Sequence, residues 1–270
     1  MRERFARVRS VLHATATENT VAVAYSGGLD SRFLIHAALL SGFFVHAFHV
    51  RGPHVPLHEK RYAAEWAGKN GFTLTTLDFN PLENTALRSN PKDRCYHCKN
   101  TVFREIGRAV RHALGELASL CDGTNASDAD EYRPGRRALQ ELGIRSPLAE
   151  AGLSKDEIRF LATQSGMENP DQAAQPCLLT RFGYGTELSP ELLIRVDEGE
   201  EAIRGVVAMF GLANAPFRLR YENAATPALH LAFEPENDLK AALSQALERT
   251  GFLNAPIRVV ERLSGYFDRN

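Results

Sequence analysis

Residues Val21-Ala-Val-Ala-Tyr25 run straight into Ser26-Gly27-Gly28-Leu29-Asp30-Ser31, and an apolar helical segment, 32–40, follows at once. A β-branched run, a glycine pair and a helix start in succession specify a strand, a tight turn and a helix N-terminus. Such a turn presents unpaired backbone N–H groups and the positive end of a helix dipole to an anion. Gly27 and Gly28 let the backbone take positive φ and let a phosphate come close. Ser26 and Ser31 add hydroxyl donors, and Asp30 can cap the helix or hold a divalent cation beside phosphates. The Gly-x4-Gly-Lys-Ser/Thr phosphate loop is excluded, because no lysine follows the glycines. A plain capped strand-to-helix turn is the alternative, and the full six-residue pattern is much more specific than a glycine pair.

Downstream, strand and helix patterns alternate. Residues 43–50, 72–79 and 117–121 read as further strands, and 57–71 and 98–114 as helices. Strands separated by helical patterns imply βαβ units and a doubly wound parallel sheet of the α/β class. Ligands of such sheets bind at the carboxyl ends of strands, where Ser26, Arg51, Asp78 and Asp122 fall. Asp122 and Asn125 can line a nucleotide pocket there, and a turn role accounts for them equally well. Helices are expected over 134–142 and, behind a Ser154/Glu157 capping box, to about 164. Residues 167–185 read as a linker and active-site loop. From Ser189 the pattern changes to a long helix, strands at 217–221 and 229–233, a helix at 237–250 and a strand at 256–260. The expected division is therefore 1–185 for the sheet domain and 186–270 for a small α+β domain that binds substrate or joins subunits of a homo-oligomer. His36, His46 and His49 lie on apolar elements and are expected to be packed.

With 44% hydrophobic and 24% charged residues, the 270-residue chain has the composition of a globular protein with a proper core. A formal net charge of −1 offers no field for nucleic acid. No apolar run approaches the ~20 residues needed to span a bilayer, and the N-terminus lacks a signal-peptide core. A cytoplasmic protein with no membrane partner is expected. Four cysteines without a secretion signal do not suggest a disulfide framework.

The cysteines differ in setting. Cys95-Tyr-His-Cys98 puts two thiols within reach of one metal, beside Arg94, His97 and Lys99. That pair alone fits a redox couple, half a zinc site, part of an iron–sulfur site or coincidence. Cys177 lies in Pro176-Cys177-Leu-Leu-Thr-Arg181, where a cation nearby suits a reactive thiolate. Cys121 ends an apolar strand and reads as a buried small hydrophobe.

The Ser-Gly-Gly-x-Asp-Ser turn resembles the PP-loop of the ATP pyrophosphatase superfamily. Behind it come Asp93-Arg-Cys-x-x-Cys-Lys99, Asp122-Gly-Thr-Asn125 with Tyr132-Arg-Pro-Gly135, Arg145-Ser-Pro-Leu-Ala-Glu150, and Pro176-Cys-Leu-x-x-Arg-Phe-x-Tyr-Gly185. In that order, over roughly residues 20–210, the set is similar to the LarE family of ATP-dependent sulfur transferases. The resemblance implies ATP and Mg²⁺ at Ser26, Gly27, Gly28, Asp30, Ser31, Arg51, Asp122 and Asn125. It implies adenylation of a carboxylate of pyridinium-3,5-biscarboxylic acid mononucleotide and sulfur insertion for a nickel-pincer cofactor. Cys177 would be catalytic, as a sacrificed sulfur donor or, with Cys95 and Cys98, as a ligand of a [4Fe-4S] cluster fed by a sulfur donor. Arg181, Arg218 and Arg220 would hold substrate phosphate, and Glu201 a divalent cation or substrate.

The chain also departs from the family. Residues 169–173 lack a usual tryptophan, 221–230 is atypical, and Gly265-Tyr-Phe-Asp-Arg269 replaces Gly-Tyr-Arg-Ser-Gly. Rival readings are a tRNA thiolation enzyme, a PP-loop amide ligase without sulfur transfer, and a non-catalytic nucleotide-binding or sulfur-storage partner.

Overall fold

A computed structural model describes residues 2–129, 134–173, 175–222 and 226–269. In chain order its helices and strands begin α1 (Arg2–Thr15), β1 (Thr20–Ala24), α2 (Leu29–Leu40), β2 (Phe44–Arg51), α3 (Leu57–Asn70) and β3 (Thr73–Asp78). There follow α4 (Thr85–Arg88), α5 (Arg94–Leu114), β4 (Leu120–Cys121), α6 (Pro134–Glu141), α7 (Pro147–Glu150) and α8 (Lys155–Gln164). The last are α9 (Pro190–Met209), β5 (Phe217–Tyr221), β6 (Pro227–Leu231), α10 (Asn237–Arg249), β7 (Ile257–Val259) and α11 (Tyr266–Arg269). Two compact units emerge, one of residues 1–52, 59–81 and 93–175, the other of 53–58, 82–92 and 176–270.

The first unit is the parallel α/β sheet implied by the strand–helix alternation, in the order β3-β2-β1-β4. A parallel sheet needs both faces covered, and the period of two in β1 and β2 supplies both. Val21, Val23, Val45 and Ala47 pack in one core with Phe33 and Ile35 of α2, Val8 and Leu12 of α1, and Ile158 and Leu161 of α8. Ala22 and Phe48 turn to the other face, against Ile106 and Val110 of α5.

Two boundaries differ from expectation, and one expected helix start forms as read. β4 shrinks to two residues, because only Leu120 and Cys121 find register partners, in Ala22 and Val23, and Leu117 is exposed. Helix α5 starts four residues earlier than its apolar stripe, which puts Cys95 inside it. The Ser154/Glu157 capping box of α8 forms in full. The Tyr132-to-Gly135 motif falls partly on residues 130–133, outside the described residues.

From β1 the chain steps to β2 and β3 on one side, then lays β4 on the other. The strand order therefore reverses between β1 and β4, and the loops leaving their carboxyl ends share one crevice.

The second unit is a small mixed sheet, β5-β6-β7, with β5 antiparallel and β7 parallel to β6. Helix α9 packs close on it. A Cβ on Gly199 would stand 2.5 Å from Leu219 Cδ2 and 2.7 Å from Phe252 Cε2, so a side chain there would have to displace both. Buried Asn90 donates from Nδ2 to the carbonyls of Phe182 and Gly183 (3.0 and 2.9 Å), which fixes the turn after Cys177. No helix among the described residues is long and apolar enough to cross a membrane.

Candidate functional site

The glycine loop between β1 and α2 is held open by its own hydroxyls. Ser31 Oγ donates to Gly28 O (3.1 Å) and accepts from Ser26 N (3.3 Å), and the two serine hydroxyls lie 3.1 Å apart. Ser26 Oγ takes the Gly28 N–H at 3.3 Å. Gly28 caps α2 with no side-chain bond, so the N–H groups of Leu29, Asp30 and Ser31 lack intrahelical acceptors and point out of the first turn. Gly27 has φ +84°, and a Cβ there would be 2.9 Å from Ala63 Cβ. The loop thus has a glycine backbone, a vacant helix cap and two hydroxyls around one point, an arrangement suited to an anion.

Across the crevice stands the loop after β4. A Cβ on Gly123 would come 2.7 Å from Ser31 N and 3.0 Å from Asp30 C, so a glycine there lets the two loops meet. Asp122, next to it, accepts from Thr124 N (3.2 Å) and Thr124 Oγ1 within its own turn, and from Ser146 Oγ (2.6 Å) just before α7. Asn125 Nδ2 approaches Asp30 Oδ2 at 3.4 Å, and Asn125 Oδ1 accepts from Ser127 N. Lys155 Nζ reaches Asp30 Oδ1 at 2.7 Å. Burial raises the Asp30 carboxyl above the usual aspartate value, and Lys155 only partly offsets this. Arg51 forks onto Asp78 at the exposed ends of β2 and β3 (3.2 and 3.3 Å).

Within the second unit the three expected phosphate ligands differ. Arg181 is buried and forks onto buried Glu200 (2.7 and 2.9 Å), and its remaining terminal nitrogen bonds Pro176 O and Thr180 Oγ1. This is the geometry of an anchor for the turn after Cys177. Burial pushes Glu200 up, yet Arg181 and then Arg218 and Leu219 N–H hold it below the usual glutamate range. Arg220, also buried, bonds His230 Nδ1 (2.9 Å) and Leu263 O and stacks on Tyr266. Arg218 is pushed down to about 10, by burial first and then by Arg181. Glu201 accepts from His58 (3.1 Å) and Arg204 (3.2 Å).

Cys95 and Cys98 lie one turn apart on α5, the first exposed and the second half-buried. Cys177, half-buried, precedes a short 3₁₀ turn, 178–181, and its carbonyl accepts from Thr180 Oγ1 (2.8 Å). Cys121 is fully buried, and burial pushes its thiol up to about 12. His36, His46 and His49 are all packed, bonded to Ser165, Thr75 and Tyr25 O. Burial lowers each of them below the usual imidazole value.

No family model matches the chain. Individual relatives do. An uncharacterized Synechocystis protein is 37% identical over 186 residues, 67% of this chain and 68% of that one. An uncharacterized Methanocaldococcus jannaschii protein is 30% identical over 233 residues, 84% and 82% of the two chains. A Lactiplantibacillus plantarum protein named pyridinium-3,5-bisthiocarboxylic acid mononucleotide synthase is 31% identical over 190 residues, 69% and 67% of the two. The chain belongs to the LarE family.

Membership in the LarE family raises the question of Mg²⁺ and of a cluster. Asp30 fits the first, since Mg²⁺ is commonly held by one carboxylate together with substrate phosphates. For a cluster, the structure brings two of the expected thiols, Cys95 and Cys98, together on one helix turn. Among the described residues no group of three His, Cys, Asp or Glu side chains is placed to hold a metal ion.

Two residues of the site escaped the sequence reading, Gly123 and Lys155. Lys155 left a signal. It occupies the first position of α8, where a positive charge opposes the helix dipole, and a cation placed there needs another reason.

Proposed function

We propose that this LarE-family chain is an ATP-dependent sulfur transferase that adenylates a carboxylate of pyridinium-3,5-biscarboxylic acid mononucleotide and converts it to a thiocarboxylate. What supports the reading most is the crevice itself. A vacant helix cap, a Gly27–Gly28 turn and the Lys155–Asp30 pair converge at the switch point of a parallel sheet, in a chain related to a synthase of that thiocarboxylate.

ATP would dock with its phosphates on the N–H groups of Leu29, Asp30 and Ser31 and on the Ser26 and Ser31 hydroxyls. Mg²⁺ held at Asp30 would neutralise phosphate charge. A substrate carboxylate oxygen attacks the α-phosphorus, the new O–P bond forms, and pyrophosphate leaves. Positioning and charge stabilisation from the helix start and Lys155 account for most of the acceleration. AMP is a good leaving group, so the acyl carbon becomes electrophilic. The Cys177 thiolate then adds to it and expels AMP, giving a thioester. Removal of the Cys177 α-proton breaks its Cβ–Sγ bond, leaving dehydroalanine on the protein and a thiocarboxylate on the product.

Arg218 is offered as the contact to the substrate's own phosphate. Its guanidinium is already pushed down by burial and by Arg181, and an anion would relieve both. Arg220 supports it from the same strand.

The deciding experiment is ATP–pyrophosphate exchange with and without the dicarboxylate mononucleotide, alongside mass analysis of the small-molecule product. Exchange that depends on the acid, with a product carrying sulfur for oxygen, is expected. Exchange that ignores the acid, or an amide product with ammonia present, overturns the reading.

A further inference from the structure

Arg32 follows directly on the phosphate-loop serine, in α2, and is fully buried. A guanidinium keeps its charge in proteins, so burying it is costly unless its donors are satisfied. Here they are met without a carboxylate. Nη1 donates to Glu168 O at 2.6 Å and Nη2 to Asn169 O at 2.8 Å. Nε and Nη2 together grip Gln172 Oε1, at 3.1 and 2.8 Å. The rings of Tyr62 and Trp66 on α3 lie 5.2 and 5.6 Å from the guanidinium carbon. Every acceptor belongs to one irregular segment, 168–172, and Asn169 in it sits at φ +51°. Such a segment has little regular backbone pairing of its own; a turn bond from Gln172 N to Asn169 O is long, at 3.4 Å. Five residues beyond Gln172 comes Cys177.

We propose that Arg32 is a positioning residue that ties the segment leading into Cys177 to the helix whose first turn receives the nucleotide. One helix then serves both halves of the reaction. Its N-terminus fixes the phosphates, and the next side chain fixes the approach of the chain that carries sulfur. This rests on the sulfur-transfer reading and assigns a residue which that reading does not need for adenylation.

The test separates the two half-reactions. Acid-dependent ATP–pyrophosphate exchange reports adenylation, and thiocarboxylate formed in a single turnover reports transfer. Arg32→Met and Gln172→Ala should leave exchange and its KM for ATP near wild type. Transfer should fall about 10–100-fold, the scale of an ångström of misplacement between reacting groups. Gln172→Glu keeps an acceptor oxygen for Nε and Nη2 of Arg32 and should restore transfer. If Arg32→Met does not fold, half-buried Gln172 decides the matter through its two variants. Parallel loss of exchange and transfer, or undiminished transfer in Gln172→Ala, overturns the proposal. A wild-type protein with no acid-dependent exchange would instead remove the adenylation reading, and this inference with it.

Discussion

Lys155 Nζ lies 2.7 Å from Asp30 Oδ1 at the mouth of the glycine loop. The pair couples the start of α8 to the start of α2, and each partner stands in an unfavourable place alone. Lys155 opposes a helix dipole, and burial disfavours the Asp30 charge. A polyphosphate on α2 would give the lysine an anion to neutralise. Lys155→Met should therefore lower kcat/KM of ATP–pyrophosphate exchange about 10–100-fold, as loss of one bond to a charged group does. The loss should appear mainly in KM for ATP. An unchanged KM would remove Lys155 from the site.

Gly123 makes a sharper demand than the glycines that drew attention in the sequence. Its missing side chain leaves room for Ser31 N and Asp30 C, backbone atoms that cannot swing aside. Gly123→Ala should widen the crevice, weaken ATP binding in calorimetry and destabilise the unit by about 1–3 kcal/mol. Gly68, in α3 with nothing within 4 Å of its would-be Cβ, is the control. Gly68→Ala should leave ATP binding intact and add about 0.5–1 kcal/mol of stability.

The sequence made the strand–loop–helix of residues 20–40 legible because its signals are local: β-branched residues, a glycine pair, then an apolar helix. Alternation of strands and helices likewise made the parallel character of the sheet legible, though not its strand order. What it hid depends on distant residues. Glu200 as the partner of Arg181, and Gln172 as that of Arg32, lie 19 and 140 positions away. An arginine beside a candidate cysteine looks the same in sequence whether it faces a substrate or a buried glutamate. The short β4 has the same origin. Leu117 and Ala118 carry strand-like residues, but the neighbouring strand offers register partners only to Leu120 and Cys121.

The Arg181–Glu200 pair gives a test of that distinction. Both side chains are almost wholly buried and joined by two bonds. Glu200→Gln leaves a buried guanidinium short of its counter-charge and should cost about 3–5 kcal/mol in urea unfolding. An Arg181→Met, Glu200→Met double variant should recover much of that loss, because both charges go together. If Glu200→Gln is neutral, the anchoring role assigned to Arg181 fails.

Buried histidines contribute to a loss of stability in acid. His49 and His230 are both held below the ordinary imidazole value, by burial first. His230 accepts at Nδ1 from Arg220 and so donates from Nε2 to Glu222, the neutral tautomer. The unfolded chain takes up protons near the ordinary value, about 6.5, while the folded chain does so only at lower pH. In that window the unfolded state binds more protons, so stability rises with pH. The contribution is complete above the ordinary value and is lost as pH falls through the lower folded one. Urea midpoints should drop between pH 7 and pH 5, and His230→Gln should flatten the drop. A midpoint that rises on acidification would contradict the sign.

The cysteines separate by position, and so should their variants. Cys121 is buried, and its thiol, pushed up to about 12, is not a nucleophile at neutral pH. Cys95 and Cys98 share a helix turn that supplies two thiol donors. Cys177 alone sits on the turn held by Arg181 and Asn90. With Cys177 as donor, Cys177→Ala should retain acid-dependent exchange and make no thiocarboxylate. Cys95→Ser and Cys98→Ser should still complete one turnover. After that turnover wild-type protein should be about 34 Da lighter by intact mass, the loss of H₂S from a thiol nucleophile, with the change mapping to Cys177. Product formed at unchanged protein mass, and abolished by Cys95→Ser or Cys98→Ser, would instead assign sulfur delivery to the α5 pair and take the donor role from Cys177.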